Sequence, residues 1–316
     1  MSSLESFWHA TADFWGQITD VRVSALLIAV AFTLANLLLR ASAWRIILQA
    51  GYPYGRVRWR SITGAYLAGV GINSIVPARG GDVMKIYLAH RSMPKAAYTT
   101  IASSLLAETL VDIVVGPALL IAAYLTGRIP NLPALGHLAA FEWSFFAAHA
   151  RWFMLGVAVA MILLGVFFTY VERHVVAFWV RVRLGLAILT TPRRYFRSVV
   201  PLQLLGWCCR IAAMYWFLVA FRVPAGVVSA ALALSAQSAS TLLPLTPGGV
   251  GTQQALLGYM FRDAAATSRV LAFSVGMQFV TTLTNAIVGG LAIWFTLRKL
   301  PWKARHVGAD SGVAPG

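Results

Sequence analysis

The sequence predicts an all-α protein: a polytopic membrane helix bundle, arranged as an inverted-topology repeat with two re-entrant half-spans broken by proline and glycine. Three observations predict this. Of 316 residues, 59% are hydrophobic and only 11% charged, against about 25% charged in a soluble domain. The apolar runs are long and continuous, as membrane helices require, and do not alternate as a β-barrel would. Two of the runs stop at similar breaks, one holding Pro77, Arg79, Gly80 and Gly81, the other Pro244, Pro247, Gly248, Gly249 and Gly251. Proline cannot donate within a helix, and adjacent glycines allow backbone conformations that other residues avoid. Such breaks are tolerated inside a bilayer only where protein or a wet cavity satisfies the freed groups. Paired breaks in corresponding halves mark the binding region of a transporter.

The elements follow in order. Residues 1–22 carry Glu5, Asp13 and Asp20 against Arg22. They lack the basic start and apolar core of a cleavable signal peptide, and are expected outside the membrane. Segments 23–48, 96–126, 152–171, 199–221 and 268–297 are each long enough to span, at about 20 apolar residues. Segments 61–76 and 227–243 are shorter and run into the breaks. Arg45, Arg56, Arg58 and Arg60 at the end of the first span put that end in the cytoplasm by the positive-inside rule. The next basic stretch, with Arg79, Lys85, Arg91 and Lys95 against Asp82, stays cytoplasmic only if 61–76 turns back at its break. Segment 172–197 holds six arginines (Arg173, Arg181, Arg183, Arg193, Arg194 and Arg197) against Glu172, and reads as an interfacial helix on anionic lipid. The second half-span then turns back outside, and the last span delivers Arg298, Lys299, Lys303 and Arg305 to the cytoplasm.

The predicted organisation is therefore an extracytoplasmic segment 1–22 and a transmembrane domain 23–297. That domain contains repeat A at about 23–126, a linker span 152–171 and repeat B at about 199–297. A basic, disordered cytoplasmic tail follows at 298–316. Arg40 and Arg210, and likewise Glu108 and Gln278, are 170 residues apart, and the two glycine pairs 168.

The net charge of +16 arises from 26 lysines and arginines grouped beside apolar runs, which points to anionic lipid and not to nucleic acid. Cys208 and Cys209 are neighbours, cannot form ordinary disulfide geometry on one helix, and read as small packing residues. No metal-ligand spacing, P-loop or nucleophile motif occurs, so no cofactor is expected.

Glu108 and Asp112 stand mid-span at i, i+4, on one helix face. Each costs about 2.5–3.5 kcal/mol in a membrane helix, so each needs a cavity or a cation. They form either a substrate or proton-coupling site, or an internal ion pair to Arg79, Arg40 or Arg210. Arg210 lies deep in its span and calls for a partner across the bundle or a lipid phosphate. Arg40 and Arg45 lie nearer a span end, where snorkelling is expected. A helix starting near Gly81 would aim its N-terminal amides at the first break, an anion site that Arg79 and Lys85 would strengthen. The second break offers uncharged Thr246, Thr252, Gln253 and Gln254, for binding or for capping. Asn73, Gln237 and Asn285 are expected inside the bundle. Gly64, Ala68, Gly69 and Gly71 form a small-residue stripe suited to close helix packing.

These motifs resemble the flippase-like transmembrane family named after the membrane part of bacterial lysylphosphatidylglycerol synthase. Asn36 to Arg45 is similar to its N-x-x-x-R…R-W element, and Asn73 to Asp82 to its N-x-x-x-P-G-R-x-G-(D/E) signature. Glu108 to Asp112 resembles E-R-x-x-D, and Pro244 to Gly251 resembles P-x-x-P-G-G-x-G. The likeness covers about residues 24–297. Three departures stand out: Lys85 replaces a common arginine, Thr109 the arginine after the glutamate, and Gln254 a common glutamate. The aminoacyl-transferase domain of the synthases is not part of this chain, so their reaction is not carried over.

The resemblance implies a translocase of the cell (inner) membrane, with its N-terminus outside. Its cargo would be an anionic or aminoacylated phospholipid, or a polyprenyl-phosphate-linked lipid. The expected substrate-binding set is Arg79, Gly80, Gly81, Asp82, Lys85, Glu108, Asp112, Arg210, Gly248, Gly249 and Gln254. Two alternatives remain: a non-catalytic partner of a membrane glycosyltransferase or lipid-modifying enzyme, and an enzyme using Glu108 and Asp112 as acid and base. A homo-oligomer is compatible with all three.

Overall fold

A computed structural model describes residues 21–53, 55, 57–76, 80–93, 96–125, 175–242, 252–262 and 264–298. All the regular structure described is helical: α1 Val23–Gly51, α2 Trp59–Ile75, α3 Gly80–Ser92, α4 Tyr98–Leu125, α5 Val175–Gly185, α6 Val200–Ala220, α7 Val227–Leu242, α8 Thr252–Met260 and α9 Thr267–Arg298. Short helical turns at Pro192–Arg194 and Tyr195–Val199 lead directly into α6. The expected linker span 152–171, most of the N-terminal segment, the second break and the tail beyond Arg298 lie outside the described residues.

Four stretches are long and apolar enough to cross a membrane: Val23–Gly51, Tyr98–Leu119, Pro192–Ala220 and Thr267–Thr296. Their outward faces are apolar as well. On α9, Phe279, Leu283, Ile287, Leu291, Trp294 and Phe295 are all exposed, and their three- to four-residue spacing makes one continuous stripe. In water so large an apolar surface would be a liability; against acyl chains it is solvated. The chain is a multi-pass membrane protein of the all-α class. Cys208 is exposed and Cys209 half-buried, both as free thiols, so only Cys209 can fill the packing role expected of the pair.

Helices α2 and α3 form an antiparallel hairpin. A Cβ on Gly69 would stand 2.7 Å from the Lys85 Cβ and 2.8 Å from the Gly81 carbonyl oxygen. The Gly81 amide donates to Asn73 Oδ1 at 2.8 Å, and the Asn73 amide to Asp82 Oδ1 at 3.1 Å. Only glycine lets the two backbones approach this closely. The hairpin then packs on α9, where Gly71 meets Gly289 and Gly64 meets Thr296. This antiparallel register puts Val76, at the hairpin tip, level with Thr284, the middle of α9. The hairpin therefore returns after half a long helix.

The two halves interlock. α1 and α6 run antiparallel along their length: Arg22 donates to the Ala220 carbonyl at 2.9 Å, Gly206 lies against Asn36, and Ala43 and Ile47 pack with Val199 and Tyr195. Each shorter helix packs on the long helix of the other half, α2 on α9 and α7 on α4. The second contact includes Ser235 Oγ donating to the Leu119 carbonyl at 3.2 Å. Where Gly51 meets Leu184, and Gly185 meets Thr100 and Ser103, α5 closes the end of the bundle that also holds Arg58, Arg60 and Arg91.

Because the α2–α9 crossing is backbone against backbone, Gly71→Leu should abolish folded, monodisperse protein in detergent size-exclusion chromatography. Gly290→Leu, one residue past Gly289 and with open space at its Cβ, should leave the elution profile unchanged.

Candidate functional site

The i, i+4 pair Glu108 and Asp112 on α4 faces inward, and its surroundings follow from the cost of leaving it there unpaired. α1 supplies Arg40, α2 Tyr66, α3 Lys85 and α6 Trp207. Arg40 binds Asp112 as a two-pronged fork, Nη1 to Oδ1 at 3.0 Å and Nη2 to Oδ2 at 2.6 Å. Its Nη2 also reaches Glu108 Oε1 at 3.3 Å, and its Nε donates to the Tyr66 hydroxyl at 2.9 Å. That hydroxyl in turn donates to Glu108 Oε1 at 2.9 Å. Lys85 Nζ donates to Glu108 Oε2 at 2.8 Å, while its ammonium lies 4.0 Å from the Tyr66 ring centre and 4.6 Å from that of Trp44. The Trp207 indole donates to Asp112 Oδ1 at 3.0 Å.

Two cations and two carboxylates thus neutralise one another, with every carboxylate oxygen bonded. Burial is graded across the cluster: the Glu108 side chain is 4% exposed and that of Asp112 28%. Glu108 is the closed floor and Asp112 the open rim. Second contacts hold this arrangement in place. The Trp44 indole donates to Ser104 Oγ at 2.9 Å, and Gln203 Nε2 to the Glu108 carbonyl at 2.9 Å. Such fixed partners keep the ionised groups in one geometry.

Arg210 sits beside the rim, on α6. Its Nη2 donates to Gln237 Oε1 at 2.9 Å, and its guanidinium lies 4.9 Å from the Trp207 ring centre. Among the described residues no carboxylate forms a salt bridge with it. This agrees with a partner across the bundle, and that partner is an amide.

Of the expected binding residues, Lys85, Glu108 and Asp112 meet in one cluster, with Arg210 joined to it through Trp207. Gly80 and Gly81 begin α3, but the Gly81 amide is already taken by Asn73, so less of an anion site remains there than the sequence suggests. Asp82 bonds Asn73 at the hairpin tip and does not enter the cluster. Gln254 is half-buried on α8. Arg79, Gly248 and Gly249 lie outside the described residues.

Arg40 is the main correction. Its position near a span end suggests snorkelling, yet it turns inward as the ion-pair alternative expects: the two carboxylates accept three of its hydrogen bonds and the Tyr66 hydroxyl a fourth. Trp44 falls within the Asn36 to Arg45 element, whereas Tyr66, Trp207 and Gln203 carry no sequence signal beyond being polar-tipped residues in apolar helices.

A helical hairpin half the length of its neighbours, packed among long apolar helices around a charge cluster with a buried floor and an open rim, defines a polytopic membrane domain. The chain belongs to the family described as the lysylphosphatidylglycerol synthase TM region, which it matches over residues 6–289. No curated protein and no solved structure matches it significantly.

Removing one partner of a buried ion pair costs about 3–5 kcal/mol. Arg40→Met should therefore strongly lower the apparent melting temperature in detergent, measured by tryptophan fluorescence. Arg40→Met combined with Asp112→Leu should recover part of that loss; purely additive losses would mean that the pair does not act as a unit.

Proposed function

We propose that the chain translocates an amphipathic anionic lipid across the cell membrane. The cargo would be an aminoacylated phospholipid or a polyprenyl-phosphate-linked lipid, and the path would be centred on the Arg40, Lys85, Glu108 and Asp112 cluster. The observation that carries this reading is the four-charge cluster buried where a half-length hairpin ends between long helices. Membrane proteins rarely hold such groups away from a functional pathway. A head-group phosphate entering at the Asp112 rim would meet Arg210 first, a cation that faces an amide and an indole. It could then compete for the donors of Arg40 and Lys85, while a cationic aminoacyl group would pair with Glu108 and Asp112. The family name refers to the membrane region of a synthase, which favours handling of lipid over chemistry on it, so the chain is read as a transporter and not an enzyme.

The inverted repeat belongs to the same proposal. α1 and α6 stand 170 residues apart and cross antiparallel, as halves entering a bilayer from opposite faces would. In this orientation the end with Arg58, Arg60, Arg91 and Arg298 is cytoplasmic and the α1 start external. A second reading has one observation in its favour: the cluster is internally neutral, as a purely structural lock would be. In that case the chain is a non-transporting partner of a membrane glycosyltransferase or lipid-modifying enzyme.

Vesicles reconstituted with the purified chain and a panel of labelled lipids separate the two. Transbilayer movement of a phosphate-bearing lipid should rise above that of empty vesicles. Arg210→Gln should reduce it about tenfold, the worth of a hydrogen bond to a charged group. Movement unchanged across the whole panel overturns the transport reading.

Topology is checked with single cysteines replacing Gly55, Arg91, Pro224 and Ala264 in a background lacking Cys208 and Cys209. The first two should label with an impermeant thiol reagent only from the cytoplasm, and the last two only from outside. Labelling of all four from one side overturns the inverted arrangement.

A further inference from the structure

Away from the Glu108 cluster, at the arginine-bearing end of the bundle, a groove of about 1070 Å³ opens between α2, α3 and α9. We propose that it is a binding site for an anionic phospholipid of the adjacent leaflet. It shares no residue with the translocation cluster, so either proposal can fail alone.

The charge is one-sided. Arg58, Arg60 and Arg91 line the groove, and among the described residues its lining contains no carboxylate. Arg58 is the N-cap residue of α2 and makes no side-chain cap hydrogen bond, and no acidic residue occupies the first turn. A helix start carries a partial positive charge and free amides, and normally attracts an acid or a capping oxygen. Here two arginines stand where an anion belongs. Below them lies Thr63, a lining residue only 5% exposed.

The walls argue for a lipid over a soluble anion. Leu67, Val288, Leu291 and Phe295 line the interior. Leu291 and Phe295 also belong to the exposed apolar stripe of α9, so the groove continues into the surface that acyl chains cover. A phosphodiester at the arginines, with chains running along α9, matches both chemistries. Basic clefts between membrane helices are general lipid head-group sites.

Native mass spectrometry of the detergent-purified chain, titrated with phosphatidylglycerol and separately with phosphatidylcholine, tests this. The wild type should retain phosphatidylglycerol in preference to phosphatidylcholine. Arg58→Gln, Arg60→Gln and Arg91→Gln should each weaken phosphatidylglycerol about fivefold, the worth of one basic residue at an anionic lipid surface. Val288→Trp fills the groove without altering charge and should lower occupancy as well. Three outcomes would overturn the proposal: the triple arginine variant binding as wild type does, Val288→Trp leaving occupancy unchanged, or glycerol 3-phosphate displacing the lipid at equal concentration.

Discussion

The fold depends on the burial of two carboxylates on one helix. Glu108 and Asp112 cannot remain ionised in an apolar interior without cations, and meeting that need draws together four other helices. Arg40 ties α1 to α4, Lys85 ties the hairpin to α4, Tyr66 bridges α2, and Trp207 brings in α6. The glycines of α2 and α3 serve the same end. Without the close approach of Gly69 to Gly81, the hairpin could not fold tightly enough for Lys85 to reach Glu108 at 2.8 Å. Small residues outside the cluster therefore set the geometry of the charges inside it.

The regions on either side of the described gap are charged differently. At 168–170 residues from Lys85 and Glu108 stand Gln253 and Gln278, two amides in place of an ion pair. Gln253 Nε2 and Gln278 Oε1 are buried without a partner, as is Asn285 Oδ1 nearby on α9. The first half holds a saturated ionic network, and the second holds unsaturated neutral groups.

Much of this was legible in the sequence, because bilayer solvation acts on composition and length. The limits of α1, α4, α6 and α9 follow from apolar runs, and the turning back of α2 and α3 follows from where arginines are allowed. Glu108 and Asp112 were legible because an ionised group in an apolar run demands a reason, whereas Lys85, read as a phosphate ligand beside the first break, pairs with Glu108 instead. The partners were harder to read. Arg40 looks like a snorkelling residue until the antiparallel register of α1 and α4 sets it opposite Glu108, and register is a property of packing, not of local pattern. Asp82 is the converse case: three residues from Lys85, it is turned towards Asn73 by the hairpin geometry and drops out of the cluster.

The exchange of short helices between the halves limits how the bundle can move. Since α2 rests on α9 and α7 on α4, the N- and C-terminal parts of the chain cannot separate without breaking both contacts. Lys85 is carried by the hairpin that rests on α9 through Gly71 and Gly289, and Arg40 by α1, so the Lys85–Glu108 ion pair is the contact of the cluster that ties the hairpin's position to the charges.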